Sequence, residues 1–283
     1  MKTMGAIRIL PASKVAETVC GLVIDAVCRL PDDVLFALHA AKDIETGAAH
    51  AVLAQIIENE ALARAARRPC CQDTGLAVVF IDIGQDVHVD GSLIDAVNLG
   101  VAEAYRKAYL RKSVLSAIAR ENTGDNTPAI LHMRMVPGDR VSIHVTPKGF
   151  GSENMSRLFM LKPAEGEDGI LESITQTARL GAANACPPVI LGVGVGGTME
   201  GAAILAKRQL LRACGSKAST PTLRRLEKEA LRRVNALGIG PMGFGGRTTA
   251  LAVLIGEMPT HLAGLPVAVN VQCHCARHAG AVI

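Results

Sequence analysis

Apolar residues in the first 68 positions recur with the spacing of amphipathic α-helices. Ser13 is a candidate N-cap for the first helix. The apolar positions that this helix would place on one face are Val15, Val19, Leu22, Val23, Ala26, Val27 and Leu30. Pro31 and the two acids after it mark the start of a second helix, and residues 48–67 have the period of a third.

Further helices are predicted at residues 92–120, 165–183 and 221–237, and another follows the glycine turn at 192–197. In the first of them, Ser92 and Asp95 have the form of a capping box, in which the serine hydroxyl accepts a bond from a backbone N–H of the first turn. The unbroken pattern after this cap predicts one long helix that ends at Arg120.

Short apolar runs between these helices predict β-strands. LAVVFIDIG at 76–84 is typical of a buried strand, and TTALAVLIGEM and LPVAVNVQ predict two more near the C-terminus. The runs at 129–136 and 140–147 flank Pro-Gly-Asp, which predicts a β-hairpin near 129–147. The mixture indicates an α/β (mixed α+β) fold, helix-rich with a mixed sheet. Because no repeat or linker interrupts the pattern, one domain over residues 1–283 is predicted.

The composition gives a core with very few aromatic rings. Apolar residues make up 49% of the 283, aromatics only 2%, and there is no Trp. Alanine, valine, leucine and isoleucine must therefore pack against the 28 glycines, and the apolar surplus hints at surface buried against a partner. The formal charge of +4 is spread along the chain, and so few rings leave little to stack on bases. Nucleic acid is therefore not an expected partner.

The apolar runs are too short for a membrane span, which needs about 18 residues. The start of the chain is not read as a signal peptide, because Pro11, Lys14 and Glu17 interrupt its apolar stretch. A cytoplasmic protein with no membrane association is predicted. In a reducing compartment the eight cysteines are expected to be free, catalytic or metal-bound, and not a disulfide framework.

The cysteines divide by context. Cys20, Cys28 and Cys214 lie on helical patterns and are interpreted as small buried hydrophobes. The other segments place a cysteine at an element boundary: PCCQDTG at 69–75, ACPP at 185–188 and NVQCHCAR at 270–277. Ligand-binding groups tend to lie in such loops. However, none shows the CxxC spacing of a zinc site or a ferredoxin. Spacing alone therefore leaves both metal ligation and ordinary core or surface cysteines open.

GVGVGG at 192–197 fits the glycine pattern of a dinucleotide-binding turn between a strand and a helix. The acidic residue that such a fold needs about 20 positions later is missing, and the next acid is Glu227. Close packing of strand and helix is therefore the preferred interpretation. A nicotinamide-dependent oxidoreductase remains the alternative.

Two polar segments border the predicted hairpin, ENTGDNTPAI at 121–130 and PKGFGSENMS at 147–156. Each of their polar residues alone could be a turn residue that bonds its own backbone. Two such segments in an apolar protein suggest a shared polar cavity. Arg111 and His261, taken singly, are typical of a surface arginine and a structural histidine.

The segments CQDTG, ENTGDNTPAI, PKGFGSENMS, ACPPVILGVGVGGTME, LGIGP and HLAGLPVAVNVQCHCAR occur in this order. Together they resemble the α subunit of class I, iron–sulfur-dependent fumarate hydratases, and several are shared with the related L-tartrate dehydratase α subunit. The resemblance implies a [4Fe–4S] cluster with three protein ligands, Cys71, Cys186 and Cys273, and one open iron. It also implies a dicarboxylate substrate.

The resemblance assigns the substrate contacts to Gln72, Asp73, Arg111, Gly151 and His261. Asp73 and His261 are the candidates for the acid/base. GSENMS and the Gly-Gly-Thr of GVGVGGTME are closer to the fumarate branch, so hydration of fumarate to L-malate is expected, with L-tartrate dehydration as the alternative. Cys70 is expected to pack, because residues 70 and 71 would face opposite ways in an extended chain.

In single-chain relatives a further domain supplies more active-site residues, and this sequence ends with CHCARHAGAVI. The expectation is a separate β-subunit partner that completes the active site, in a heterotetramer or around a homodimer of α chains. A non-catalytic assembly subunit, with zinc on the same cysteines, is the remaining alternative.

Overall fold

The computed structural model describes residues 7–283, which divide into two compact units. The first unit comprises the chain up to Pro31 together with Leu62–Gly149 and Arg277–Ile283. The second comprises Asp32–Ala61 and Phe150–Ala276. Each unit is thus assembled from separate stretches of sequence. The prediction that they function together as one domain stays a prediction.

Helices and strands alternate irregularly along the chain, which confirms the mixed α/β class. The helices are α1 (Ala12–Cys28), α2 (Asp32–Ile44), α3 (Gly47–Ala66), α4 (Leu93–Lys107), α5 (Phe150–Glu153), α6 (Gly166–Gly181), α7 (Met199–Gln209) and α8 (Pro221–Asn235). The strands are β1 (Arg8–Pro11), β2 (Leu76–Gly84), β3 (Val87–Asp90), β4 (Ile130–Val136), β5 (Val141–Lys148), β6 (Arg157–Leu161), β7 (Val189–Gly196), β8 (Ala250–Met258), β9 (Leu265–Gln272) and β10 (Ala279–Val282).

The first unit is built on a four-stranded sheet in the order β10-β5-β2-β4. Helices α1 and α4 pack together, and α1 also lies against β5. Their apolar faces meet the sheet in one core, where Val19, Val79, Val101 and Ile143 are fully buried. The core therefore uses aliphatic side chains, as the composition requires. No helix within residues 7–283 is both long enough and apolar enough to cross a bilayer.

The predicted hairpin of β4 and β5 is wrong in its pairing, although both strands exist. Strand β2 lies between them, parallel to β4 and antiparallel to β5. The connection between β4 and β5 crosses the end of β2, where Gly84 N–H donates to the Arg140 carbonyl at 2.9 Å. A Cβ on Gly84 would lie 2.2 Å from the Gly138 carbonyl oxygen. The apolar β2 takes the central position because pairing on both edges satisfies its buried backbone.

The helix predicted at 92–120 is shorter in the structure. Ser92 caps it as expected, since its hydroxyl accepts from the Asp95 N–H at 3.3 Å. However, α4 ends at Lys107, and Tyr109 has a left-handed φ of 53°, which terminates the helix. The proposed cap at Ser13 is also wrong: α1 begins at Ala12, and Pro11 precedes it without a side-chain bond.

The second unit is built on a four-stranded sheet in the order β6-β9-β7-β8. Helix α7 lies against β7 and β9, while α8 packs on β8 and α6. A Cβ on Gly192 or Gly194 would lie 2.2 Å from a backbone carbonyl of α7. The glycines of GVGVGG therefore permit close strand–helix packing, which was the preferred interpretation of this motif.

Candidate functional site

The CQDTG segment forms a loop of the first unit between α3 and β2. Cys71 and Asp73 are half-buried, Gln72 is exposed, and Thr74 and Gly75 are buried. The backbone bends at residues 70–72, so the extended-chain argument for the orientation of Cys70 does not apply.

Cys70 packs against α1 for a different reason. Its N–H donates to the Val27 carbonyl at 3.0 Å. The pKa of the Cys28 thiol is raised, first by burial and then by the nearby Cys70. Cys70 is therefore held against α1, close enough to the buried Cys28 to affect the pKa of its thiol.

Tyr105 and Asn126 hold the CQDTG loop through hydrogen bonds to its backbone carbonyls. The Tyr105 hydroxyl lies 2.8 Å from the Thr74 carbonyl and 2.7 Å from the Gly75 carbonyl. Asn126 is fully buried, and its amide donates to the Gly75 carbonyl at 3.3 Å. The Asn126 side-chain oxygen also accepts from the Ser113 N–H at 2.7 Å. The polar segment that contains Asn126 is therefore a structural support for this loop.

Arg111 lies next to the same loop. The Thr74 hydroxyl donates to the Arg111 carbonyl at 2.8 Å, and the side chain of Arg111 is exposed. The structure thus brings four predicted site residues of the first unit together, namely Cys71, Gln72, Asp73 and Arg111.

The position of Asp73 is fixed by the segment that leads into β10. Arg277 is 2% exposed, and its guanidinium donates to the Asp73 carbonyl at 2.7 Å. One carboxylate oxygen of Asp73 accepts from the Gly75 N–H at 3.0 Å. The other faces Gly149, where a Cβ would approach it to 3.0 Å. The carboxylate is therefore held by backbone groups and close packing.

Two predicted cysteine ligands meet at one end of the sheet in the second unit. Cys186 lies just before β7, exposed and in a left-handed conformation with φ 51°. Its carbonyl accepts from the backbone N–H of His274 at 3.2 Å and lies 2.9 Å from the His274 ring. Cys273, which precedes His274, is half-buried at the end of β9. Since β7 and β9 are antiparallel, the start of one strand meets the end of the other.

Gly151 lies in the one-turn helix α5 and is exposed, with nothing within 4 Å of the place where a Cβ would be. Its backbone is therefore open to the approach of a ligand.

His261 lies apart from the cysteines of its unit. It is exposed in the turn between β8 and β9, and its ring nitrogen accepts from the Ala263 N–H at 3.2 Å. The whole length of β9 separates it from Cys273, which is roughly 26 Å at about 3.3 Å per residue. The structure does not bring His261 together with Cys186 and Cys273.

The donor set fits an iron–sulfur cluster by its chemistry. Iron–sulfur clusters are held by cysteine thiolates, and none of the eight cysteines is in a disulfide. Beside Cys273, Gln272 is 3% exposed, its amide lies 3.9 Å from the Cys273 sulfur, and its side-chain oxygen is buried with no hydrogen bond. Within residues 7–283, no group of three or more His, Cys, Asp or Glu side chains is arranged around one metal position.

Sequence reasoning missed Tyr105 and Arg277 in the first unit and Gln272 in the second. Tyr105 is one of only two tyrosines in an aromatic-poor chain and falls on the buried face of α4. A buried tyrosine needs a partner for its hydroxyl, which is the signal that could have found it. Arg277 follows the last cysteine motif directly, but its long-range bond to Asp73 has no local signature.

The Tyr105 hydroxyl is expected to stabilise the first unit. Tyr105→Phe removes the donor shared by two buried carbonyls, so the free energy of unfolding should fall by about 1.5 kcal/mol. Tyr109→Phe is the matched control, because Tyr109 is 93% exposed. Denaturant unfolding of the two variants measures the difference. Equal stabilities would show that the carbonyls find other donors.

A sequence model of the family described as fumarate hydratase (Fumerase) matches residues 16–282. A protein of Methanocaldococcus jannaschii named as a candidate L(+)-tartrate dehydratase subunit alpha is 39% identical, over 94% of this chain and 96% of its own length. The L(+)-tartrate dehydratase subunit alpha of Escherichia coli strain UTI89 is 33% identical, over 94% of this chain and 89% of its own. The matched range contains every predicted site residue.

Proposed function

This chain belongs to the fumarate hydratase family, and from that premise we propose that it is the α subunit of a hydro-lyase acting on a dicarboxylate. The observation that carries the proposal is the meeting of Cys186 with the Cys273 segment through His274. It brings two cysteines, far apart in sequence, to one end of the second unit's sheet. This supports a cluster ligated by loop cysteines.

The proposed cofactor is a [4Fe–4S] cluster held by Cys71, Cys186 and Cys273. With three thiolate ligands one iron keeps an open position, and the bound cluster supplies Lewis-acid polarisation of substrate oxygens. The neighbouring Gln272 places a buried amide beside the Cys273 sulfur. Hydrogen bonds to cluster sulfurs tune such centres.

The residues of the first unit provide the proposed substrate contacts. Arg111 carries a guanidinium suited to clamp a carboxylate through two parallel N–H donors. Gln72 is exposed and offers an amide beside it. From the second unit, we propose that the backbone N–H of the exposed Gly151 donates to a substrate oxygen.

Asp73 is the preferred acid/base. Its carboxylate is half-buried and held by the Gly75 N–H, so it keeps one orientation while it moves the proton at the substrate carbon. His261 is the weaker candidate within one chain, because β9 separates it from Cys273. Its role as a substrate contact stays part of the proposal.

A β-subunit partner is part of the proposed function. The relatives named above are α subunits of L(+)-tartrate dehydratase. We propose that this chain likewise requires a second polypeptide to complete its active site, in an assembly of α and β chains.

The proposed reaction is reversible hydration of fumarate to L-malate, in line with the description of the family. The second candidate is dehydration of L-tartrate to oxaloacetate, which is favoured by the names of the relatives. The two dicarboxylates L-malate and L-tartrate differ by one hydroxyl. A site built to hydrogen-bond that hydroxyl would reject the substrate that lacks it by about 10⁴-fold.

The test is anaerobic purification of this chain with its co-purifying partner, followed by iron and acid-labile sulfide analysis. The rate should then be measured with fumarate, L-malate and L-tartrate. We expect about four irons per α chain and a kcat/KM at least tenfold higher for one of the two reactions. One zinc without labile sulfide would replace the proposal with the assembly-subunit alternative. Turnover only with NAD(P) would replace it with the oxidoreductase.

A further inference from the structure

The one-turn helix α5 cannot hold its own orientation. It has four residues, and a helix this short is far below the length at which helices are stable in isolation. Its position must therefore come from contacts with neighbouring elements. Because Gly151 lies on α5, those contacts also fix where the Gly151 N–H points.

Glu153, the last residue of α5, makes two of the contacts that anchor it. One carboxylate oxygen lies 2.5 Å from the Lys207 ammonium of α7. The other accepts from the Asn270 amide of β9 at 3.0 Å. Both side chains of the ion pair are largely buried, at 25% exposed for Glu153 and 15% for Lys207. This geometry is stronger than a surface ion pair, because solvent screens it less.

The anchor continues along β9 toward Cys273. The Asn270 amide also donates to the Ser156 hydroxyl at 3.2 Å, and that hydroxyl accepts from the Val271 N–H at 3.0 Å. Asn270 is 6% exposed and lies on β9, three residues before Cys273. The chain of contacts therefore links α5 to the strand that ends just before Cys273.

We propose that Glu153 is a positioning residue that fixes the Gly151 backbone relative to Cys273. It does not touch the substrate; it acts through α5 and β9. The inference rests on the proposed function, since it assumes that Gly151 contacts the dicarboxylate. Loss of Glu153 should leave the cysteine ligands in place and weaken binding of the dicarboxylate.

The experiment compares Glu153→Ala, Glu153→Gln and Lys207→Met in the complete complex, with Glu172→Gln as the control. Glu172 forms an exposed ion pair with Arg179 in the same unit. Glu153→Ala and Lys207→Met should raise the KM of the preferred dicarboxylate at least tenfold. Iron and sulfide content should match the control. Glu153→Gln keeps an acceptor for Asn270, so its KM should be intermediate.

A spectroscopic readout separates positioning from simple stability. Addition of the dicarboxylate should change the electron paramagnetic resonance spectrum of the dithionite-reduced wild-type cluster, with the midpoint of that titration shifted at least tenfold in Glu153→Ala. Wild-type KM in all variants, or a lower unfolding temperature with no change in KM, would overturn the inference. If the wild-type complex itself neither turns over a dicarboxylate nor responds to it, the proposed function fails instead.

Discussion

Replacing Cys71 with serine should abolish the proposed [4Fe–4S] cluster, whereas Cys70→Ser should leave it intact. A serine hydroxyl does not ionise near neutral pH, so it is a poor substitute for the thiolate that iron requires. We expect iron and labile sulfide in Cys71→Ser to fall below about a tenth of the wild-type content. Visible absorption and hydro-lyase activity should disappear with them. Chemical analysis of the anaerobically purified complex measures each quantity.

Cys70→Ser is the matched control because it changes the same atom one residue away. The Cys70 backbone N–H is hydrogen-bonded to α1, and its thiol is close enough to the buried Cys28 to affect the pKa of that thiol. Removal of the Cys70 thiol should lower stability only through lost packing contacts, without loss of iron. If Cys70→Ser lost the cluster and Cys71→Ser kept it, the ligand would be Cys70 and the motif would be one residue out of register.

Replacing Gly75 with alanine should disrupt the CQDTG loop. Gly75 has a φ of 78°, and a Cβ there would lie 2.8 Å from backbone atoms of Pro147 and Lys148. Those atoms belong to β5, which pairs with β2 and cannot move without breaking the sheet. Strain and overlap together should lower the free energy of unfolding by about 3 kcal/mol or more. Thermal or denaturant unfolding measures the loss.

Gly124→Ala separates the effect of the backbone angle from that of the overlap. Gly124 has a φ of 84°, and nothing lies within 4 Å of its Cβ position. This control should therefore cost about 1 kcal/mol from the left-handed conformation alone. Similar losses in the two variants would mean that the contact with β5 relaxes and that the loop is less constrained than its geometry indicates.

Local patterns predicted the elements well because local forces form them. The apolar run at 76–84 gave the bounds of β2, and the cap at Ser92 gave the start of α4. The predicted pairing of β4 with β5 is wrong because β2, which is remote in sequence, pairs with both strands. Sequence proximity favours a hairpin, but burial of β2 outweighs it.

In the candidate site, too, local features could be predicted and long-range contacts could not. The CQDTG, ACPP and NVQC motifs are local, so their residue types can be recognised from the amino-acid sequence alone. The supports of the loop could not be predicted, since the contact of Arg277 with Asp73 joins residues 204 positions apart. The separation of His261 from Cys273 was also hidden, because it follows from the length of β9 and not from the residues themselves.

The first unit is completed by residues 277–283, and this has a consequence for biosynthesis. Strand β10 closes one edge of its sheet, the Ile283 carbonyl accepts from the Arg8 guanidinium at 3.0 Å, and Arg277 secures Asp73. The ribosome must therefore release nearly all of the second unit before the first can close. During that interval the Cys71 loop lacks its Arg277 support. The nascent chain therefore needs protection of its open sheet edge while it waits.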